Sequence, residues 1–377
     1  MISSPLIYLF ILAFVATAFS LLESKFKFKI FKFIPAVVMI YAFSMLLAGF
    51  HVFDNNDAIK EIYTTTKKNL LPAMLFLMLL QVDFKHFFKL GRSLLISYVL
   101  AIFSIGFAFI VVALLFDFDS DMSGAFGALA GSWMGGTANM VAVGSALNVS
   151  EDAFAYALVV DSVNYTLWVM LLLFLVPFSH YFNKFTKAEQ NLAYLDEIGC
   201  ACNMGVKRYW LFILLSVFVA LIVNLIAIMD FQILNYTTTT VLLATLLGIL
   251  GSFTRLRDIN GSQEVATTML YVLIALIGSR AVIESFSSLY MYVFAGFCIL
   301  LIHAIIMVLG AKIFKLDLFS IAVASLSNIG GVASAPILAA TYNKALVSVG
   351  VVMAIMGYLI GTFGGLVVGN ILLEIAK

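Results

Sequence analysis

Charge is what this chain has least of. Only 11% of its 377 residues are Asp, Glu, Lys or Arg, against about a quarter in a soluble domain. Hydrophobic residues make up 63% and the mean hydropathy is +1.11. No soluble core hides that much apolar side chain, so the chain belongs in a bilayer. An excess of either sign is also missing: 21 basic against 20 acidic residues leave +1, which removes the case for a nucleic-acid partner. Three cysteines build no disulfide framework, and Cys200-x-Cys202 lacks the companions of a zinc site. His51, His86, His180 and His303 lie far apart, and neither H-E-x-x-H nor G-x-S-x-G occurs, so an intramembrane enzyme is not expected. Without a Walker motif, ATP is not the direct energy source, and no cofactor is expected. No Lys or Arg precedes Lys25, so a cleavable signal with a basic start is not expected, and 4–22 reads as a first transmembrane helix.

What is present is a series of apolar runs. A spanning helix needs about 20 mostly apolar residues, fewer where it is buried in protein. Ten segments qualify as expected spans: 4–22, 31–50, 69–82, 93–116, 153–178, 209–229, 237–252, 264–280, 288–310 and 346–372. Two more, 122–147 and 318–341, differ. They are rich in Gly, Ser, Asn and Ala, with a helix-breaking tract in the middle of each.

Those two segments match. Ser132-Trp133-Met134-Gly135-Gly136-Thr137-Ala138 reads against Ser327-Asn328-Ile329-Gly330-Gly331-Val332-Ala333, both S-x-x-G-G-x-A, at an offset of 195. The same offset superposes 93–116 on 288–311 and 153–178 on 348–373. The chain therefore reads as two repeats, 1–182 and 209–377, joined by a polar cytoplasmic linker 183–208.

Charge then chooses a topology. If both odd segments cross the membrane, nine of the 21 basic residues fall inside, against the positive-inside rule. If each is a re-entrant hairpin, every half has five crossings, the second half is inverted, and sixteen fall inside. The second arrangement puts both termini outside and lets the two hairpins dip in from opposite faces. The fold class expected is an all-α polytopic membrane protein of two inverted five-helix repeats, each with a Gly-Gly hairpin or broken helix.

Non-helical backbone at membrane depth is tolerated only where protein or a wet cavity satisfies it. Glycine-rich breaks at matching places in inverted repeats are the sequence pointer to a transporter site. Helix starts at the breaks offer N–H groups to an anion, and freed oxygens suit Na⁺. The substrate-binding residues expected are Ser132, Gly135, Gly136, Thr137 and Asn139 in the first motif and Ser327, Asn328, Gly330, Gly331 and Ser334 in the second. The bland alternative is tight helix packing through small residues. Asp161 is the one acid well inside an expected span, with Ser162 and Asn164 beside it, which makes these three the expected cation or proton site. His303 reads as a neutral packing residue, Ser145 and Ser325 as bonded to their own helix carbonyls, Asn224 as a packing residue, and Trp133 as a possible cavity wall.

The tract Gly131-Ser132-Trp133-Met134-Gly135-Gly136-Thr137-Ala138-Asn139-Met140-Val141-Ala142-Val143, with the second Gly-Gly at 330–331, resembles the bacterial membrane family called domain of unknown function 819. That family looks like a distant relative of the sodium/glutamate symporters and the 2-hydroxycarboxylate transporters. The resemblance implies Na⁺-coupled uptake of an organic anion by a homodimer in the bacterial inner membrane, through an elevator motion. It also implies a transport core of 93–178 and 288–372 carried on scaffold helices 1–82 and 209–280. Amino acids, dicarboxylates and short acidic peptides all fit as the small-molecule substrate. The arginine some relatives use for a carboxylate has no match in 346–372. A cation/proton antiporter working through Asp161 is the alternative.

Cysteines introduced at Ser150 and Lys344 test the topology. The hairpin arrangement expects an impermeant thiol reagent to reach 150 from outside and 344 from inside. Labelling of both from one side would reject it.

Overall fold

The computed structural model describes residues 1–23, 36–188, 206–228, 236–256, 261–280, 289–343 and 346–377. The Lys25–Lys32 cluster, Lys344 and most of the linker, 189–205, lie outside the described residues. The elements are α1 (Pro5–Leu21), α2 (Ala36–Gly49), α3 (Asp57–Leu79), α4 (Phe84–Phe88), α5 (Arg92–Phe116), α6 (Ser120–Gly135), α7 (Thr137–Ala146), α8 (Glu151–Leu175), α9 (Ser179–Thr186), α10 (Val206–Ala227), α11 (Tyr236–Ser252), α12 (Ser262–Gly278), α13 (Leu289–Phe314), α14 (Leu318–Ile329), α15 (Gly331–Tyr342) and α16 (Val347–Ile375). A 3-10 turn, Val176–Phe178, joins α8 to α9. No strand occurs among the described residues, only a bridge between Ile2 and Phe53.

Five stretches are long and apolar enough to cross a membrane: Arg92–Phe116, Glu151–Thr186, Val206–Ala227, Leu289–Phe314 and Val349–Ile375. This is a multi-pass membrane protein. Ten spans were expected. Of the other five, α1, α2, α11 and α12 are apolar with 14 to 17 helical residues among those described, α2 and α11 each starting at the first described residue of its stretch. At 1.5 Å per residue the described parts cover about 21–26 Å of a hydrocarbon core of about 30 Å. The fifth, α3, differs more. It starts twelve residues before the apolar window 69–82, because Asn56 caps it by accepting from the Ile59 N–H at 2.9 Å. Its first turns carry Asp57, Lys60, Glu61, Lys67 and Lys68, which an apolar count passes over.

The chain forms two compact units, and each draws on both halves of the sequence. The first holds Met1–Gln81, Asn148–Ser162 and Cys202–Ser288; the second holds Val82–Leu147, Val163–Ala201 and Leu289–Lys377. Helix α8 begins in the first and ends in the second.

The first unit is built around α3, buried without interruption from Leu71 to its last residue, Leu79. On α11, Gly248 sits so close that a Cβ there would lie 2.6 Å from Leu79 Cβ and 3.0 Å from the Phe76 carbonyl. Pro72 lies inside α3 and has no N–H for the carbonyl four residues back, that of Lys68. Asn224 of α10 supplies the donor. Its Nδ2 reaches the Lys68 carbonyl at 3.4 Å and Asn69 Oδ1 at 2.9 Å, while the Tyr236 hydroxyl donates to its Oδ1 at 2.5 Å. The start of α8 is pinned by two tyrosines. Tyr63 donates to Glu151 Oε1 at 2.7 Å and Tyr41 to the Glu151 carbonyl at 2.9 Å.

In the second unit both odd segments fold back as helical hairpins. In the first, Gly127 lies against Leu147, Gly131 against Val143 and Gly135 against Asn139, so α6 and α7 run antiparallel about a turn at Gly136. In the second, the Phe319 ring meets Tyr342 edge-on at 5.2 Å, so the far ends of α14 and α15 also come together, about Gly330-Gly331. With 12 residues each, α14 and α15 are about 18 Å long, well short of a crossing.

Replacing Asn224 by Leu orphans the Lys68 carbonyl and Asn69. A stability loss of about 1–2 kcal/mol is expected in thermal or denaturant unfolding, with Asn224→Gln intermediate. Unchanged stability would mean that the proline site is satisfied otherwise.

Candidate functional site

Helix α16 organises the second unit because it presents glycine every fourth residue. Gly357, Gly361, Gly365 and Gly369 run antiparallel along Gly127, Gly131 and Gly135 of α6. A Cβ on Gly365 would lie 2.6 Å from Gly131 Cα, one on Gly361 2.7 Å from Gly135 Cα, and one on Gly369 3.2 Å from Gly127 Cα. Only hydrogens fit between these backbones. Val143 of α7 and Leu147 just after it press into the same seam: Cβ atoms on Gly131 and Gly127 would lie 2.9 and 2.8 Å from them.

At the tip of the first hairpin the chain turns with Gly136 at φ +92° and ψ 172°, a backbone only glycine adopts without strain. Asn139 locks the turn. Its Nδ2 donates to the Gly135 carbonyl at 2.9 Å and to the Gly357 carbonyl at 3.3 Å, and its Oδ1 accepts from Thr362 at 2.7 Å. The amide of Asn139 is thus engaged in positioning. Ser132 is buried, and its carbonyl accepts from the Gly136 N–H at 2.5 Å. Thr137 opens α7 half-buried, and no side chain caps that helix.

The second tip is buried but leaves a gap. Gly331, at φ +59°, has no atom within 4 Å of the place a Cβ would take, so the start of α15 faces open space. Side chains do not cap this helix either. The ring of Tyr165 comes within 2.6 Å of a Cβ on Gly330. Ser327, Asn328 and Ser334 are all buried. Asn328 donates to its own helix at Ala324, and three oxygens, Ser327 Oγ, Asn328 Oδ1 and Ser334 Oγ, have no hydrogen-bond partner among the described residues.

The two tips meet on one glycine. A Cβ on Gly357 would lie 3.1 Å from Gly135 Cα and 3.6 Å from the Ser327 carbonyl. All ten expected substrate residues therefore fall in the second unit, near α16. The expected cation group lies within one turn of α8, where that helix passes from the first unit to the second. Asn164 belongs to the second unit, where its Nδ2 donates to the Val293 carbonyl at 3.2 Å. Asp161 and Ser162 are half-buried and belong to the first.

Two smaller readings change. Trp133 is fully buried against Phe109, ring centres 5.5 Å apart, and lines nothing open. Ser325 does not bond back to its helix; it joins a buried chain. Trp168 Nε1 donates to Ser325 Oγ at 2.9 Å, Ser325 Oγ lies 2.8 Å from His303 Nε2, and His303 Nδ1 lies 2.7 Å from Ser104 Oγ. Because Ser104 gives its proton to the Ala101 carbonyl at 2.9 Å, it accepts from Nδ1–H, and Ser325 donates to a bare Nε2. Every group is then satisfied with a neutral imidazole, the packing role expected.

Comparison with known proteins agrees on the family. The model of the family described as "Protein of unknown function (DUF819)" matches residues 10–375. The chain belongs to that family. A curated relative, the "Uncharacterized membrane protein YjcL" of Bacillus subtilis (strain 168), is 23% identical over 357 residues, covering 86% of this chain and 88% of that one. In this DUF819 member, Gly357, Gly361, Gly365, Gly369 and Thr362 were not among the expected site residues. Their signal was available as glycine at every fourth position of α16.

Gly135→Ala drives a methyl into the Gly357 carbonyl and Asn139 and is expected to cost about 1–3 kcal/mol or more. Gly331→Asn, which meets open space and keeps a residue tolerant of positive φ, should stay within about 1 kcal/mol of wild type. Equal unfolding temperatures for the two variants would contradict this packing.

Proposed function

We propose that this protein is a secondary active transporter that takes up a small organic anion with Na⁺ by an elevator mechanism. The observation that carries this reading is the meeting of two hairpin tips on Gly357, with uncapped helix starts and three unsatisfied buried oxygens around them. Unsatisfied oxygens deep in apolar protein are costly, about 1–3 kcal/mol each, and a bound cation repays that cost. Uncapped N–H groups at the starts of α7 and α15 favour an anion beside it. With no arginine in α16, a carboxylate rests on these N–H groups and on hydroxyls.

Two observations support the repeat and the motion. The tip glycines with positive φ, Gly136 and Gly331, are 195 residues apart, the offset of the sequence motif. Both hairpins belong to one compact unit, while residues 1–81 and 202–288, with 148–162 from the expected core, form the other, a division that suits a carrier and a scaffold. A homodimer in the bacterial inner membrane with both termini outside completes the proposal.

The test is uptake into proteoliposomes, with acidic amino acids, dicarboxylates and short acidic peptides offered under an inward Na⁺ gradient. One class is expected to accumulate only with the gradient. Ser327→Ala with Ser334→Ala should raise the Na⁺ concentration for half-maximal uptake about tenfold, roughly 1.4 kcal/mol. No gradient-driven uptake of any anion would reject the reading. Na⁺/H⁺ exchange without an organic solute, abolished by Asp161→Asn, would replace it with the antiporter.

A further inference from the structure

Away from the tips, the second unit holds a cavity of about 520 Å³ between α9 and the helices α8, α13 and α14. Leu171, Leu175, Phe182, Met307, Ile321 and Ala322 are among its walls. Of its polar lining groups, Ser325 has its hydroxyl occupied by Trp168 and His303, Trp168 spends its N–H on Ser325, and Tyr181 is exposed at the rim. A water needs two or more polar partners to stay in such a place, and a polar solute needs more, so the cavity suits hydrocarbon.

The near end is different. Asn183 of α9 accepts from the Leu318 N–H at 2.8 Å, which fastens α9 across the start of α14. Lys312 donates to the Phe185 carbonyl and lies 4.2 Å over the Phe185 ring, and Phe185 itself lines the cavity. Lys184 and Lys187 stand on the adjoining turn, Lys315 lies one turn beyond Lys312, and all four are exposed. The neighbouring acid, Asp317, spends its carboxylate on the N–H and hydroxyl of Ser320, at 2.9 and 2.6 Å. A dry apolar slot thus opens beside four lysines and one engaged aspartate.

We infer that this groove is a specific site for an anionic phospholipid, one acyl chain lying in the cavity and the phosphate held by Lys312 with Lys184. Aromatic and basic residues on a short helix with one apolar face are the chemistry of a membrane interface, where such a headgroup sits. The site is independent of the transport reading.

The test is native mass spectrometry of the full-length protein in detergent, titrated with phosphatidylglycerol or phosphatidylcholine of identical chains. Phosphatidylglycerol is expected to bind about tenfold more tightly. Lys184→Gln with Lys312→Gln should abolish the preference, and Ala304→Trp, which fills the slot, should weaken both lipids. Should the tryptophan variant fail to fold, a photoreactive acyl chain on wild-type protein replaces it and should label 171–182 or 304–322. Equal binding of the two lipids, a preference unmoved by the lysine changes, labelling elsewhere, or tighter binding of oleate than of phosphatidylglycerol would each overturn the assignment.

Discussion

Backbone lies against backbone where α6 meets α16, and little else in the second unit could stand without that contact. Each glycine pair brings two main chains together with nothing but hydrogens between them. Close approach of this kind, through dispersion and carbonyl contact, is how helices associate where no hydrophobic difference separates protein from lipid. Here it has a second consequence. It brings the end of α6 beside Gly357, where Asn139 can reach carbonyls on both helices at once. A side chain at any of these glycines would push the first tip off α16 and leave its carbonyls exposed to hydrocarbon.

The polar groups of the second unit sort into engaged and open. Asn139, Thr362, Ser104, His303, Ser325 and Trp168 hold one another or nearby carbonyls, and this holds the hairpins rigid. Beside the tips the open oxygens, on Ser327, Asn328 and Ser334, belong to the second hairpin; in the first, Ser123 Oγ is open near the start of α6, far from its tip. The two tips therefore differ although they share a motif: Asn139 of the first is engaged with carbonyls and Thr362, while the second keeps open oxygens. The phospholipid groove lies on the same α14 arm, away from its tip.

Much of this was legible in one dimension. The shared S-x-x-G-G-x-A located both tips, because glycine takes the positive φ of Gly136 and Gly331 without strain. Apolar length located α5, α10, α13 and α16 to within a few residues. It failed on α3, whose polar first turns are helical through capping at Asn56, a local hydrogen bond that no hydropathy window registers. Asn224 read as packing; its role depends on a proline in another helix, a long-range pairing invisible without coordinates. The glycine row of α16 was visible as a spacing, yet its partner row on α6 lies more than 200 residues away. Asp161 stood out as a lone acid in an apolar run, and its assignment to the first unit depends on where α8 passes from one unit to the other.

The most direct measurement of the central claim places a cysteine at Thr137, on the first tip, in protein otherwise free of cysteine, and follows its reaction with a small water-soluble thiol reagent. A site for ions and anions at the hairpin tips predicts measurable labelling that slows at least several-fold when Na⁺ replaces choline, and slows further with the right anion. A thiol that never reacts, or one that reacts at the same rate in Na⁺, choline and every anion, would contradict the account.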